Sequence, residues 1–75
     1  MPKPANGAHR GALLLLADAP EGHTEAIMMA HGFTTALLAD LVKAGLVSAR
    51  RERLRRGRRI EVVRLRITDE GRLAL

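Results

Sequence analysis

The residues with the clearest chemical potential are arginines near the C-terminal end of the chain. Between Arg50 and Arg59, in the stretch RRERLRRGRR, seven arginines accompany a single acid, Glu52. Guanidinium groups remain charged at physiological pH, and their planar N–H donors match the oxygens of a phosphate group. The alternative is a hairpin edge that is kept soluble by arginine–glutamate pairs across strands. Since seven arginines exceed what edge protection needs, the sequence favours contact with phosphates.

The positive charge is confined to one half of the chain. Residues 1–45 contain three Lys or Arg against four Asp or Glu, which leaves a net charge of −1. Residues 46–75 contain ten against four, which leaves +6. A nearly neutral half joined to a strongly basic half is typical of proteins that meet a polyanion on one side.

Other residue types with catalytic or metal-binding potential form no site in this sequence. The chain has no cysteine, and its histidines are not spaced as a ligand pair on one helix face. Three threonines precede predicted helices, so we interpret them as N-caps rather than nucleophiles: Thr24, Thr34 and Thr68. Ser48 has no predicted base nearby. We therefore expect no enzymatic activity, no metal, no cofactor and no small-molecule ligand.

The elements that position the arginines follow from hydrophobic spacing. Apolar residues at helical spacing predict a first helix over about residues 8–18 and a second over residues 25–31. A third helix is predicted over about residues 36–44, with Thr34 or Thr35 as its N-cap. The inward stripe of the third helix is predicted to consist of Leu37, Leu38, Leu41 and Val42.

Glycines and a change of period mark the boundaries of the later elements. Gly32 is expected to take the left-handed conformation by which the chain leaves the second helix, and Gly45 is expected to terminate the third helix. After Gly45 the apolar residues recur every second position, and the segments on either side of Gly57 predict a β-hairpin. Thr68 is predicted to cap a short C-terminal helical turn.

The length of 75 residues predicts a single domain over residues 8–75, after a flexible N-terminus over residues 1–7. A core of this size supplies little stability, so we expect self-association into a homodimer. The absence of cysteine fits a cytoplasmic protein. The apolar run over residues 12–17 is too short to span a bilayer, so no membrane partner is expected.

The order of these elements resembles a winged helix-turn-helix domain over roughly residues 8–75. The segment TEAIMMAHGFT is similar to the helix-turn-helix, and KAGLVSARRE resembles the exit of a recognition helix into the first wing strand. The segment RLRITDEGRLAL is similar to the last wing strand, threonine cap and closing helix of MarR-type regulators. The chain as a whole also resembles short bacterial proteins.

The resemblance implies an α+β fold, a small winged helix-turn-helix of three helices followed by a two-stranded antiparallel wing and a short C-terminal helix. It implies double-stranded DNA as the partner and transcriptional regulation as the role. Gly32, Phe33 and Thr34 form the turn in this interpretation, and the third helix lies near the major groove. The residues implied to bind nucleic acid are Thr34, Thr35, Lys43, Arg50, Arg51, Arg53, Arg55, Arg56, Arg58 and Arg59.

The predicted third helix is poorly equipped to read bases. Its outward face has no Arg, Asn or Gln for bidentate contacts with base edges, and Asp40 repels phosphates. We therefore expect DNA to be contacted mainly through the charge of the wing. A protein–protein interaction or dimerisation module of the same fold is the alternative. RNA binding through the same hairpin is also open, although the strands have no aromatic residue to stack on bases.

Overall fold

A computed structural model describes residues 7–56 and 58–75 of the chain, and all of their side chains except those of residues 54–56, 58 and 59. The described residues form four helices and a three-stranded antiparallel sheet, so the α+β class is confirmed. The elements are, in order, α1 (Gly7–Ala17), β1 (His23–Thr24), α2 (Glu25–Ala30), α3 (Thr35–Lys43), β2 (Val47–Arg56), β3 (Arg58–Ile67) and α4 (Asp69–Leu73).

The three threonines predicted as N-caps all cap helices. The Thr24 hydroxyl oxygen accepts a hydrogen bond from the Ile27 amide at 3.2 Å, and Thr34 accepts one from Leu37 at 3.1 Å. Thr68 accepts one from the Gly71 amide at 3.0 Å. These bonds satisfy amides that the first turn of a helix leaves unpaired, and each is worth about 1 kcal/mol. Thr34, rather than Thr35, is thus the cap of α3.

The helices end where the glycines were predicted to end them. Gly32 follows α2 with a φ of +93°, and Gly45 follows α3 with a φ of +77°. A side chain disfavours this left-handed conformation, so glycine is the suitable residue at both positions. At the N-terminus, α1 begins at Gly7, one residue before the predicted start. The rest of the predicted flexible segment, residues 1–6, lies outside the described residues.

The sheet contains a strand that the sequence did not predict. The order is β1-β3-β2, in which His23 pairs with Leu65 and Thr24 with Arg64. Two residues are too few for an alternating pattern to be recognised. Gly22 makes this pairing possible, because a Cβ there would lie 2.1 Å from the Leu65 carbonyl oxygen. The prediction of a two-stranded sheet is therefore incomplete.

A single hydrophobic cluster joins the helices to the base of the hairpin. Its buried members are Ala12, Leu13, Leu16, Met28, Leu38, Leu41, Val47 and Leu65. Phe33, in the turn between α2 and α3, packs against this cluster, and its ring lies close to Gly11 of α1. The predicted inward stripe of α3 is right for Leu38 and Leu41 but wrong for Val42, which is 38% exposed.

The hairpin extends well beyond this core. The pairing of β2 with β3 is unbroken from Val47 and Ile67 to Arg56 and Arg58. Val63 is the last apolar residue along the ladder that packs against the buried cluster. Strands of ten residues span about 33 Å, and the molecule measures 45 × 22 × 21 Å. The described part of the hairpin past Val63 is therefore a projecting two-stranded arm.

Alternation along the strands gives the hairpin two different faces. We call the face that contains buried Val47 and Leu65 the inner face, since it packs on the helices. We call the opposite face the outer face. The outer face contains Ser48, Arg50, Glu52, Val62, Arg64 and Arg66.

Candidate nucleic-acid interface

The arginine run is divided between the two faces of the hairpin. Arg51 and Arg53 belong to the inner face, and both are exposed: Arg51 is opposite Val63 at the edge of the core, and Arg53 is opposite Glu61 beyond it. Arg50 belongs to the outer face, directly opposite Arg64 of β3, and is also exposed. The hairpin therefore has exposed cationic residues on both of its faces.

The acids of the hairpin neutralise few of these arginines. Arg51 Nη1 lies 3.8 Å from Glu61 Oε1, and the two side chains are 82% and 55% exposed. An ion pair this open to water contributes well under about 1 kcal/mol, because solvent screens it. Arg50 and Arg53 have no ion pair with any residue that the structure describes. Their guanidinium groups are available to an external anion.

Glu52, the one acid within the arginine run, forms an ion pair with Arg64, which lies outside the run. Arg64 Nε lies 3.0 Å from each of the two carboxylate oxygens of Glu52. The side chains of Arg64 and Glu52 are 28% and 33% exposed, so this pair is better shielded from water than Arg51 and Glu61. Glu52 therefore holds Arg64 in place and compensates neither Arg50 nor Arg53.

Four of the arginines implied to bind nucleic acid lie at the far end of the hairpin, around Gly57. Arg55 pairs with Arg59 and Arg56 with Arg58 in the backbone register, so the four residues share one end of the ladder. Their side chains, and Gly57 as a whole, lie outside the described residues. Contact between this tip and nucleic acid stays a prediction.

The predicted site residues of α3 lie on its surface. Thr34 and Thr35 are exposed at the N-terminus of the helix, and Lys43 is exposed at its last residue. The Thr34 hydroxyl oxygen accepts the capping bond from Leu37, and its O–H can still donate to a phosphate oxygen. Asp40 is exposed as well. The surface of α3 thus offers phosphates one cation and one anion.

Two arginines outside the predicted set complete the cationic surface of the sheet. Arg64 and Arg66 line a shallow groove of about 290 Å³ on the outer face, together with Ser48, Ala49, Arg50 and Glu52. Their alternation with Val63, Leu65 and Ile67 already indicates that they face away from the core. The cross-strand register, which places Arg64 beside Arg50, is visible only in the structure.

Metal-binding clusters and membrane-spanning helices are both absent from the part of the chain that the structure describes. Within residues 7–56 and 58–75, no group of three or more His, Cys, Asp or Glu side chains is arranged to hold a metal ion. None of the described helices has the length and apolar character needed to cross a membrane.

Comparison with known proteins adds no family to this description. No protein-family model, no curated protein and no solved structure matches the chain. The class that the fold defines is a small α+β domain with four described helices and a three-stranded antiparallel sheet, from which a basic hairpin projects.

Proposed function

We propose that this protein binds double-stranded DNA as a winged-helix transcriptional regulator, mainly through its projecting hairpin. One observation supports the proposal above all others. In the described part of the arginine run, Arg50 and Arg53 have no acidic partner, and Arg51 has only a distant one. Guanidinium groups that the protein leaves unpaired gain most from meeting phosphates, because they release condensed counterions from DNA.

The order of the elements supports the winged-helix interpretation. Two short helices separated by a four-residue turn precede the hairpin, and a short helix follows it. In this arrangement α3 lies near the major groove and the hairpin lies along the adjacent backbone. The surface of α3 provides shape rather than base contacts, since Asp40 opposes phosphates and Lys43 is its one cation. A cytoplasmic location is part of this proposal, because the protein must reach DNA.

A comparison of nucleic acids tests the proposal. Electrophoretic shifts with random-sequence duplex DNA, single-stranded DNA and RNA are measured side by side at low salt. We expect the duplex to bind most tightly, because single-strand recognition needs exposed aromatic residues. The one aromatic residue of the chain, Phe33, is packed against the core. A preference for RNA or for single strands, or no binding at all, contradicts the proposal.

A dimerisation module is the second candidate function, and exposed apolar residues favour it. Leu73 of α4 is 86% exposed and Leu14 of α1 is 50% exposed, and the two helices are in contact. Covering such residues with a second copy removes apolar surface from water. Sedimentation velocity over a range of protein concentrations measures this association. We expect Leu73→Ser to lower the dimer fraction, whereas a wild-type protein that stays monomeric would reject this candidate.

A further inference from the structure

We propose that the groove on the outer face is a separate binding site for the phosphate group of a small ligand. The groove lies over the paired strands β2 and β3, and its volume is about 290 Å³, which is ample for a phosphate group and part of the molecule that bears it. Three arginines and one glutamate line it, which gives a net charge of +2: Arg50, Arg64, Arg66 and Glu52. This site goes beyond DNA binding and differs from the sequence-based expectation of no small-molecule ligand.

Two of the three arginines are held in place by the protein itself. Arg64 donates from Nε to both carboxylate oxygens of Glu52, each at 3.0 Å. Arg66 donates from Nη2 to the Pro20 carbonyl oxygen at 3.2 Å, which ties it to the segment between α1 and β1. A side chain that is already ordered loses less conformational entropy when a ligand arrives. The groove is therefore organised before binding.

These anchoring bonds leave donors free for a ligand. The Nε–H of Arg64 is used, but its two amino groups have no acceptor among the residues that the structure describes. The same holds for Nε and Nη1 of Arg66 and for the whole guanidinium group of Arg50. Charge-assisted, bidentate hydrogen bonds to phosphate are the interactions that such groups form best.

The register brings these donors together. Arg50 and Arg64 are direct cross-strand partners, and Arg66 is the next residue of the outer face along β3. Like charges directly opposite each other on a sheet are destabilising, and Glu52 offsets only one of them. A bound dianion would neutralise the remaining net charge of +2. The net positive charge of the groove therefore favours the binding of a phosphate group.

The position of the groove separates it from α3. The helices pack on the inner face of the sheet, and the groove is on the outer face. A ligand in the groove can therefore occupy its site while the surface of α3 remains open. Arg50 is the residue shared between the groove and the proposed DNA surface.

A titration with inorganic phosphate, in the absence of nucleic acid, tests the site independently of DNA binding. Backbone amide NMR signals are followed as phosphate is added in a non-phosphate buffer, with sodium chloride at matched ionic strength as the reference. We expect saturable shifts at Ser48, Arg50, Arg64 and Arg66 with phosphate and none that saturate with chloride. Shifts that grow without saturation, or that chloride reproduces, would overturn the proposal.

Substitutions locate the site. We expect Arg64→Gln to weaken phosphate binding by about tenfold, because it removes a charge and two potential hydrogen bonds. Arg50→Gln should weaken it by a smaller factor without disturbing the fold, since Arg50 has no described ion pair. Arg72→Gln, which removes an exposed arginine of α4, is the matched control and should have no effect. Equal affinities for all three variants would also overturn the proposal.

Discussion

At the scale of single residues, two glycines show how differently one residue type can act. Both have positive φ, but their surroundings differ. A Cβ at Gly22 would meet the Leu65 carbonyl oxygen at 2.1 Å and Arg66 Cγ at 2.7 Å. A Cβ at Gly32 would have no neighbour within 4 Å. Gly22 is needed for a close approach between backbones, whereas Gly32 is needed only for its conformation.

This contrast gives a stability prediction. Gly32→Ala should lower the free energy of unfolding by about 1–2 kcal/mol, the cost of a left-handed alanine. Gly22→Ala should cost at least about 1 kcal/mol more, because β1 must also move away from β3. Urea denaturation of both variants measures the difference. Equal losses of stability would show that β1 does not approach β3 as closely as described.

Some residue-level features could be predicted from the sequence because their causes are local. A threonine before a helix caps it through an amide three residues away, as Thr24, Thr34 and Thr68 do. A glycine after a helix supplies a left-handed turn within its own residue, as Gly32 and Gly45 do. The role of Gly22 could not be predicted in this way, since its neighbour Leu65 is 43 positions away in the chain.

At the scale of elements, the hairpin has two cross-strand ion pairs of different quality. Arg64 and Glu52 are about two-thirds shielded from water and share hydrogen bonds at 3.0 Å. Arg51 and Glu61 lie 3.8 Å apart in largely open surroundings. Shielding from water and good hydrogen-bond geometry increase the contribution of an ion pair to stability, and screening by solvent decreases it.

Double-mutant cycles measure this difference. With glutamine as the substitution at all four positions, we expect a coupling energy of about 1 kcal/mol for Arg64 and Glu52. The coupling of Arg51 with Glu61 should be below about 0.5 kcal/mol. A larger coupling for the Arg51 pair would mean that the arginine run is more neutralised than the structure indicates, and would weaken the case for DNA binding.

Some elements could be predicted from the spacing of apolar residues, and others could not. The change of period after Gly45 predicted the hairpin, and the alternation of Arg64 and Arg66 with Leu65 and Ile67 predicted which residues of β3 face away from the core. The strand β1 escaped prediction because it has two residues. The groove could not be predicted, because its residues come from two strands and no local sequence pattern determines the register between those strands.

At the scale of the whole molecule, apolar and cationic residues are segregated. The buried cluster joins three helices to the base of the hairpin, and the uncompensated arginines begin where that cluster ends. This segregation follows from the sequence, whose first 45 residues have a net charge of −1 and whose last 30 have +6. A small apolar base with a charged arm keeps the arginines away from the core, where burying a charge would be costly.

The salt dependence of duplex binding tests the central claim, which is that the hairpin binds the DNA backbone. If the protein neutralises about four to six phosphates, the logarithm of its affinity should fall with the logarithm of salt concentration at a slope of roughly −4 to −5.

The double variant Arg50→Gln/Arg53→Gln and the control Arg10→Gln/Arg72→Gln each remove two exposed arginines. Fluorescence anisotropy with labelled duplex, at several salt concentrations, gives the slope for each protein. We predict that the slope of the hairpin variant is shallower by about 2 and that the control keeps the wild-type slope. Equal slopes for the two variants would contradict the claim.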